Sequence, residues 1–317
     1  GKYMKGIDIS RGYYEEFGKP MLEEEFREIL PYIAVGFVGS GSERYGFDDD
    51  ISRDHDFEPG FCIFLPSEEI VDRKTAFQLE RAYAKLPKEY QGLRRQQVGP
   101  VGGMRNGVIR TAEFFQKAVG AEDGNLTIRQ WLEIPDYALA EAVNGEVFYD
   151  GYGEFSEIRE RLMEYPEDIM LKRLAGNLLI MAQSGQYNFM RCLSHGEPEA
   201  AQFACNEFVN ATLKATFLLQ GRYLPYYKWS FRALKGLLFT EELAARLSFI
   251  LMADHSDEEV AQQKYTAIEE IASWIIDELQ SRDITKAICG DLEKHAYSVN
   301  DFIKDGEIRN LNILTTV

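Results

Sequence analysis

The chain has 317 residues, about two domains' worth, and is 45% hydrophobic, 27% charged and 13% aromatic, a balance that excludes intrinsic disorder, collagen and a disulfide-stapled scaffold. Thirty-five Lys and Arg against 52 Asp and Glu leave a formal net charge of −17. Polyanions bind through neutralisation of phosphates by cations, so long nucleic acid and anionic membrane are excluded as expected partners; a small ligand that brings divalent cations fits better.

No apolar run approaches the roughly 20 residues that cross a bilayer. The stretch GKYMKGIDIS carries two lysines without the apolar centre of a signal peptide, so a cytoplasmic protein is expected. Cys62, Cys192, Cys205 and Cys289 stand alone in sequence and read as small buried hydrophobes in a reducing compartment.

In chain order, residues 12–30 are rich in helix formers, with Pro20 read as the break between two short helices. The β-branched, apolar run from Tyr32 to Val38, closed by Gly39, predicts a buried strand. A second strand is expected from Asp54 to Leu65 with a bend at Pro59-Gly60, then a helix opening at Ser67-Glu68-Glu69. Further on come a short strand over Val108–Thr111, a helix over Ala112–Val119, a helix begun by Pro135 and a last strand over Glu146–Tyr149. Beyond Gly153 the pattern is helical. Pro166, Pro198 and Pro225 punctuate it, Ser256-Asp257-Glu258-Glu259 has capping-box spacing, and Val260, Ile268, Ile271, Trp274, Ile275 and Leu279 form one apolar stripe. The expected fold is α+β: a mixed sheet with helices over residues 1–150, then an all-α helical domain over 151–317.

The chemistry concentrates in GSGSERYGFDDDISRDHDF, from Gly39 to Phe57. It lacks the Lys of a phosphate-binding P-loop, the third glycine of a Rossmann turn and the Gly and Glu of an EF-hand loop. His55-Asp56 has no upstream His to complete a metal phosphohydrolase. What stands is Asp54 and Asp56 at alternate positions of a strand, their carboxylates on one face about 6.5 Å apart. Two such charges repel unless a cation joins them, and oxygen-only ligands suit Mg²⁺ or Mn²⁺. Backbone N–H groups of the preceding Gly-Ser turn are placed to cradle phosphates. Asp48, Asp49 and Asp50 read as turn residues or caps. Ser42 reads equally as a turn hydrogen-bonder or a phosphate contact, and Lys228, among Tyr226, Tyr227 and Trp229, as a phosphate contact or the start of a packed helix.

The order of strand, Gly-Ser, about a dozen residues and Asp-x-Asp on the next strand resembles the nucleotidyltransferase superfamily, the DNA polymerase β-like fold. The full string is similar to a bacterial group placed in that superfamily, and Gly221-Arg222-Tyr223-Leu224-Pro225-Tyr226-Tyr227-Lys228-Trp229 resembles the helical domain of small antibiotic (aminoglycoside or lincosamide) nucleotidyltransferases. The resemblance implies a catalytic domain over 1–150 and a helical substrate-binding domain over 151–317. It implies that Gly39 and Ser40 hold the triphosphate of ATP or another NTP, that Asp54 and Asp56 bind the metals, and that a hydroxyl attacks the α-phosphate to release pyrophosphate.

The superfamily adds a third carboxylate from a later strand. Here that strand carries Arg110, so Glu113, just beyond, is the expected third catalytic acid, with Glu133 or Glu146 as a general base. The expected function is transfer of AMP from ATP onto a hydroxyl of a small-molecule acceptor. The alternative is a catalytically impaired nucleotide-binding or antitoxin-like protein that acts through a protein partner.

Overall fold

In a computed structural model the described residues are 5–47, 58–95 and 106–317, without the side chains of 42 and 43. The fold is α+β. It divides into two compact units, one formed up to Thr127 together with Ile134–Met163, the other by Ile128–Glu133 together with Glu164–Val317.

The first unit is built on a four-stranded mixed sheet of Ala34–Phe37 (β1), Cys62–Leu65 (β2), Gly107–Arg110 (β5) and Glu146–Asp150 (β6), in the order β5-β2-β1-β6. β1 runs antiparallel to both neighbours, and β5 runs parallel to β2. A two-stranded ribbon, Glu89–Tyr90 (β3) with Leu93–Arg94 (β4), stands apart from it. β1 and β2 are buried along their whole length, because helices cover both faces of the sheet. On one face Val35, Ile63 and Leu65 pack with Tyr13, Tyr14 and Leu22, from the helices Gly6–Tyr13 (α1) and Lys19–Glu25 (α2) and the turn between them, and with Leu79 from Arg73–Ala84 (α3). On the other face Phe64 stacks on Phe155 at 4.0 Å between ring centroids and meets Phe114 edge-on. Those rings come from Thr111–Val119 (α4) and Glu154–Leu162 (α7). Asp136–Val143 (α6) packs with both helices.

The second unit is helical throughout: Ile128–Glu133 (α5), Glu167–Met181 (α8), Phe189–Ser194 (α9), Pro198–Leu219 (α10), Ser230–Lys235 (α11), Glu241–Met252 (α12), Glu258–Ser281 (α13), Leu292–Asp301 (α14) and Gly306–Asn310 (α15). α5 belongs here because the buried Arg173 of α8 donates to the Trp131 carbonyl at 2.7 Å. Lys172 is fully buried and donates to Asn300 Oδ1 at 2.9 Å and to the Leu311 and Arg309 carbonyls at 2.6 and 3.2 Å. No helix among the described residues is long and apolar enough to cross a membrane.

Several local expectations are corrected. Pro20 does not break the chain: a π-helical turn over Tyr14–Gly18 joins α1 to α2, and Pro20 lies in the first turn of α2, where its missing N–H costs nothing. The helix expected from Ser67 starts at Arg73, because the Asp72 side chain accepts from Thr75 N at 2.8 Å. Pro135 precedes α6 as its cap residue rather than beginning it. Asp257, not Ser256, caps α13. Of the α13 stripe, Ile268, Ile271, Ile275 and Leu279 are buried, whereas Trp274 is partly exposed beneath Arg246. All four cysteines are free, Cys62 and Cys205 buried, Cys192 and Cys289 partly exposed.

Candidate active site

β1 runs out at Phe37 and the chain turns through Gly39, Ser40 and Gly41. Gly39 and Gly41 have φ of +115° and +116°, a conformation that disfavours any side chain. Antiparallel pairing, with Gly36 opposite Cys62, places this bend at the sheet edge where β2 begins. The chain leading into β2 is pinned there: Ser10 Oγ donates to the Gly60 carbonyl at 2.6 Å and Phe61 N donates to the Tyr83 hydroxyl at 3.3 Å. Asp54 and Asp56, with Asp48, Asp49, Asp50 and His55, lie outside the described residues.

The bend is held by a residue more than a hundred positions away. Gly39 N donates to Asn144 Oδ1 at 2.9 Å, and Asn144 Nδ2 donates to the Gly39 carbonyl at 2.6 Å. Asn144 follows α6 and precedes Gly145, whose φ is +64°. A Cβ on Gly145 would fall onto the Phe37 carbonyl oxygen and within 3.1 Å of Val38 Cα, so only glycine lets β6 approach β1 this closely. Beneath the bend the buried Arg44 lies over the Phe37 ring at 4.0 Å and donates to Asn106 Oδ1 at 2.9 Å. The Ser40 side chain is exposed, and among the described residues neither its N–H nor its hydroxyl has a hydrogen-bond partner.

Glu146 shares this edge. It opens β6 opposite Phe37 and accepts from Arg11, which also donates to Asp8 Oδ1 at 3.0 Å. The hydrogen bond to Glu146 is the main reason that the Arg11 guanidinium is held above its usual pKa. Nearby, burial pushes the Tyr45 phenol and the Glu141 carboxyl up, and the Glu141 charge adds to the effect on Tyr45.

Glu113 does not join the bend. It lies in the first turn of α4, which begins at the C-terminal end of β5. Because β5 is parallel to β2 and antiparallel in sense to β1, that end is the sheet edge opposite Gly39 and Ser40. Glu113 lines a cavity of about 650 Å³ there with Pro66, Ser67, Arg110, Glu154 and Arg161. Arg110 stands in the expected acid's place and donates to the Pro66 and Val71 carbonyls at 2.6 and 2.7 Å. Glu133 pairs with Arg129 at 3.0 Å on the exposed side of α5 in the second unit. Ser42 opens a 3₁₀ turn over residues 42–45, its side chain outside the described atoms. Lys228 lies in a 3₁₀ turn over Tyr227–Trp229 in the second unit, beside Tyr226 and Tyr227, whose rings are 4.8 Å apart and exposed.

A family model described as a domain of unknown function (DUF4037) matches residues 131–230. The matched span includes Asn144, Glu146 and Lys228 and leaves out the stretch from Gly39 to Asp56. No curated protein and no solved structure matches the chain.

Proposed function

We propose that this chain is a Mg²⁺-dependent nucleotidyltransferase that moves a nucleoside monophosphate, AMP from ATP, onto a hydroxyl of a small molecule and releases pyrophosphate. One arrangement carries the reading: a left-handed glycine bend, tied down by Asn144 and presenting a Ser40 without a hydrogen-bond partner among the described residues, leaves the sheet at the edge where the strand downstream of Asp54 and Asp56 begins. Backbone N–H groups in such a bend form a concave anion site, and a serine hydroxyl adds a donor.

Asp54 and Asp56 are the metal ligands in this reading, since their donors are the hard oxygens that Mg²⁺ and Mn²⁺ take. Bound metal would supply charge neutralisation along the phosphates. Ser40 and the bend orient the polyphosphate. In this reading Glu146, one of the two residues expected as general base, is the proton acceptor. The acceptor hydroxyl oxygen bonds to the α-phosphorus while the bond from that phosphorus to the bridging oxygen of the β-phosphate breaks. The hydroxyl proton passes to the Glu146 carboxylate.

The second reading is nucleotide binding without transfer, with signalling through a protein partner. It is favoured by Arg110, which occupies the place of the superfamily's third acid and is committed to carbonyls. Incubation with α-labelled ATP, Mg²⁺ and a panel of hydroxylated small molecules separates the two. Label on an acceptor with stoichiometric pyrophosphate is expected for transfer; Mg²⁺-dependent ATP binding with no pyrophosphate for any acceptor leaves the second reading.

A further inference from the structure

We infer that Asn144 is the positioning residue of the phosphate site, and that the bend offers Ser40 rather than Gly39 to the anion; this rests on the nucleotide reading above. Gly39 has no polar group to spare, because both its N–H and its carbonyl are taken by the Asn144 amide. The first group that the bend presents to an incoming phosphate is therefore the N–H and hydroxyl of Ser40.

A carboxamide is the side chain suited to this clamp, since it accepts and donates within one plane and so fixes both peptide planes at Gly39. It is also uncharged, where a carboxylate at the same place would repel a polyphosphate. The clamp is itself held from behind. Arg159, largely buried, donates through Nη1 to the Asn144 and Ala142 carbonyls at 2.9 and 3.2 Å and through Nη2 to the Val143 carbonyl at 3.1 Å. These are the last carbonyls of α6 and its cap, where a cation is favoured by the helix dipole. Burial pulls the Arg159 pKa down to about 10, as expected for a guanidinium held in place without a carboxylate among its named partners. Asn144 thus reaches the bend from a rigid base, and the direction of the Ser40 N–H is set before any ligand arrives.

The test uses the full chain with MgATP as the probe, measuring affinity by calorimetry, fold by thermal melting and amide exchange over residues 38–41. For Asn144→Ala we expect MgATP binding about tenfold weaker, consistent with two lost hydrogen bonds, with faster exchange at Gly39 and a cooperative melt retained. Asn144→Asp keeps the volume and the acceptor for Gly39 N–H; it is expected to protect that amide yet to bind MgATP at least as weakly as the alanine variant. It decides the matter if Asn144→Ala does not fold. A folded variant that binds within twofold of wild type overturns the role of Asn144 and leaves the nucleotide reading standing. A wild-type chain that binds no MgATP overturns both.

Discussion

The close approach of β6 to β1 makes Gly145→Ala an informative perturbation. Two effects add. An L residue at φ +64° costs about 1 kcal/mol in backbone strain. The new Cβ falls on the Phe37 carbonyl oxygen, which cannot yield without moving the start of β6 by on the order of 1 Å; overpacking of that kind costs roughly 1–3 kcal/mol. The sum is about 3 kcal/mol, which for a unit of this size lowers its melting temperature by roughly 6–12 °C. Gly153→Ala is the control: its φ is +82°, but nothing lies within 4 Å of the added carbon, so only the strain of about 1 kcal/mol remains. Scanning calorimetry of both variants isolates the steric part. If Gly145→Ala melts within about 2 °C of Gly153→Ala, the tight β1–β6 approach is wrong, and with it the base on which Asn144 reaches Gly39.

Three further outcomes follow from particular contacts. Glu146→Gln should lower the turnover number by about a hundredfold or more with little change in the KM for ATP, whereas Glu113→Gln, at the opposite sheet edge, should leave both unchanged; steady-state pyrophosphate release decides. Burial pushes the Tyr14 phenol up to about 12 from 10.0, so the unfolded chain ionises first. The stability this group contributes is therefore complete below pH 10 and is lost as pH rises from 10 toward 12; urea midpoints at about pH 9 and about pH 11.5 should fall less in Tyr14→Phe than in wild type. Lys172→Met leaves Asn300 Oδ1 and the Arg309 and Leu311 carbonyls without their buried donor and should destabilise the second unit by about 2–4 kcal/mol, read as a lower denaturant midpoint at unchanged slope.

The sheet was legible where burial writes itself into composition. The apolar run ending at Val38 and the strands at 108 and 146 stand within a residue or two of their expected places; for β1 the reason is that a strand buried on both faces must be continuously apolar or β-branched, whereas β5 and β6 are only partly buried. The helical second half was legible from its period. Caps were less so: two acids or a Ser and an Asp near one helix start compete, and the winner is set by which side chain reaches an N–H, as Asp72 and Asp257 show.

The bend at Gly39-Ser40 was legible as a turn closing a buried strand, but its clamp was not. Asn144-Gly145 reads locally as a turn between a helix and a strand, and nothing in that dipeptide says that its amide will close on Gly39. Glu113 was misplaced for a topological reason. Proximity in sequence to β5 says nothing about which end of the sheet the following helix starts from; the parallel pairing of β5 with β2 starts α4, with Glu113 in its first turn, at the end away from the bend, although Phe114 of the same helix reaches back toward Gly39. Arg110, read from the sequence as standing where an acid was expected, is occupied by the Pro66 and Val71 carbonyls.

In the proposed function the Gly39-Ser40 bend and the Asp54/Asp56 pair act together on a nucleotide. The most direct measurement is calorimetric titration of ATP into the wild-type chain and into Asp54→Asn/Asp56→Asn, each with and without Mg²⁺. Saturable binding by wild type that requires Mg²⁺ and is lost in the double variant, with the fold retained, is expected. Binding that is absent in wild type, or that survives unchanged in the double variant, contradicts the proposed function.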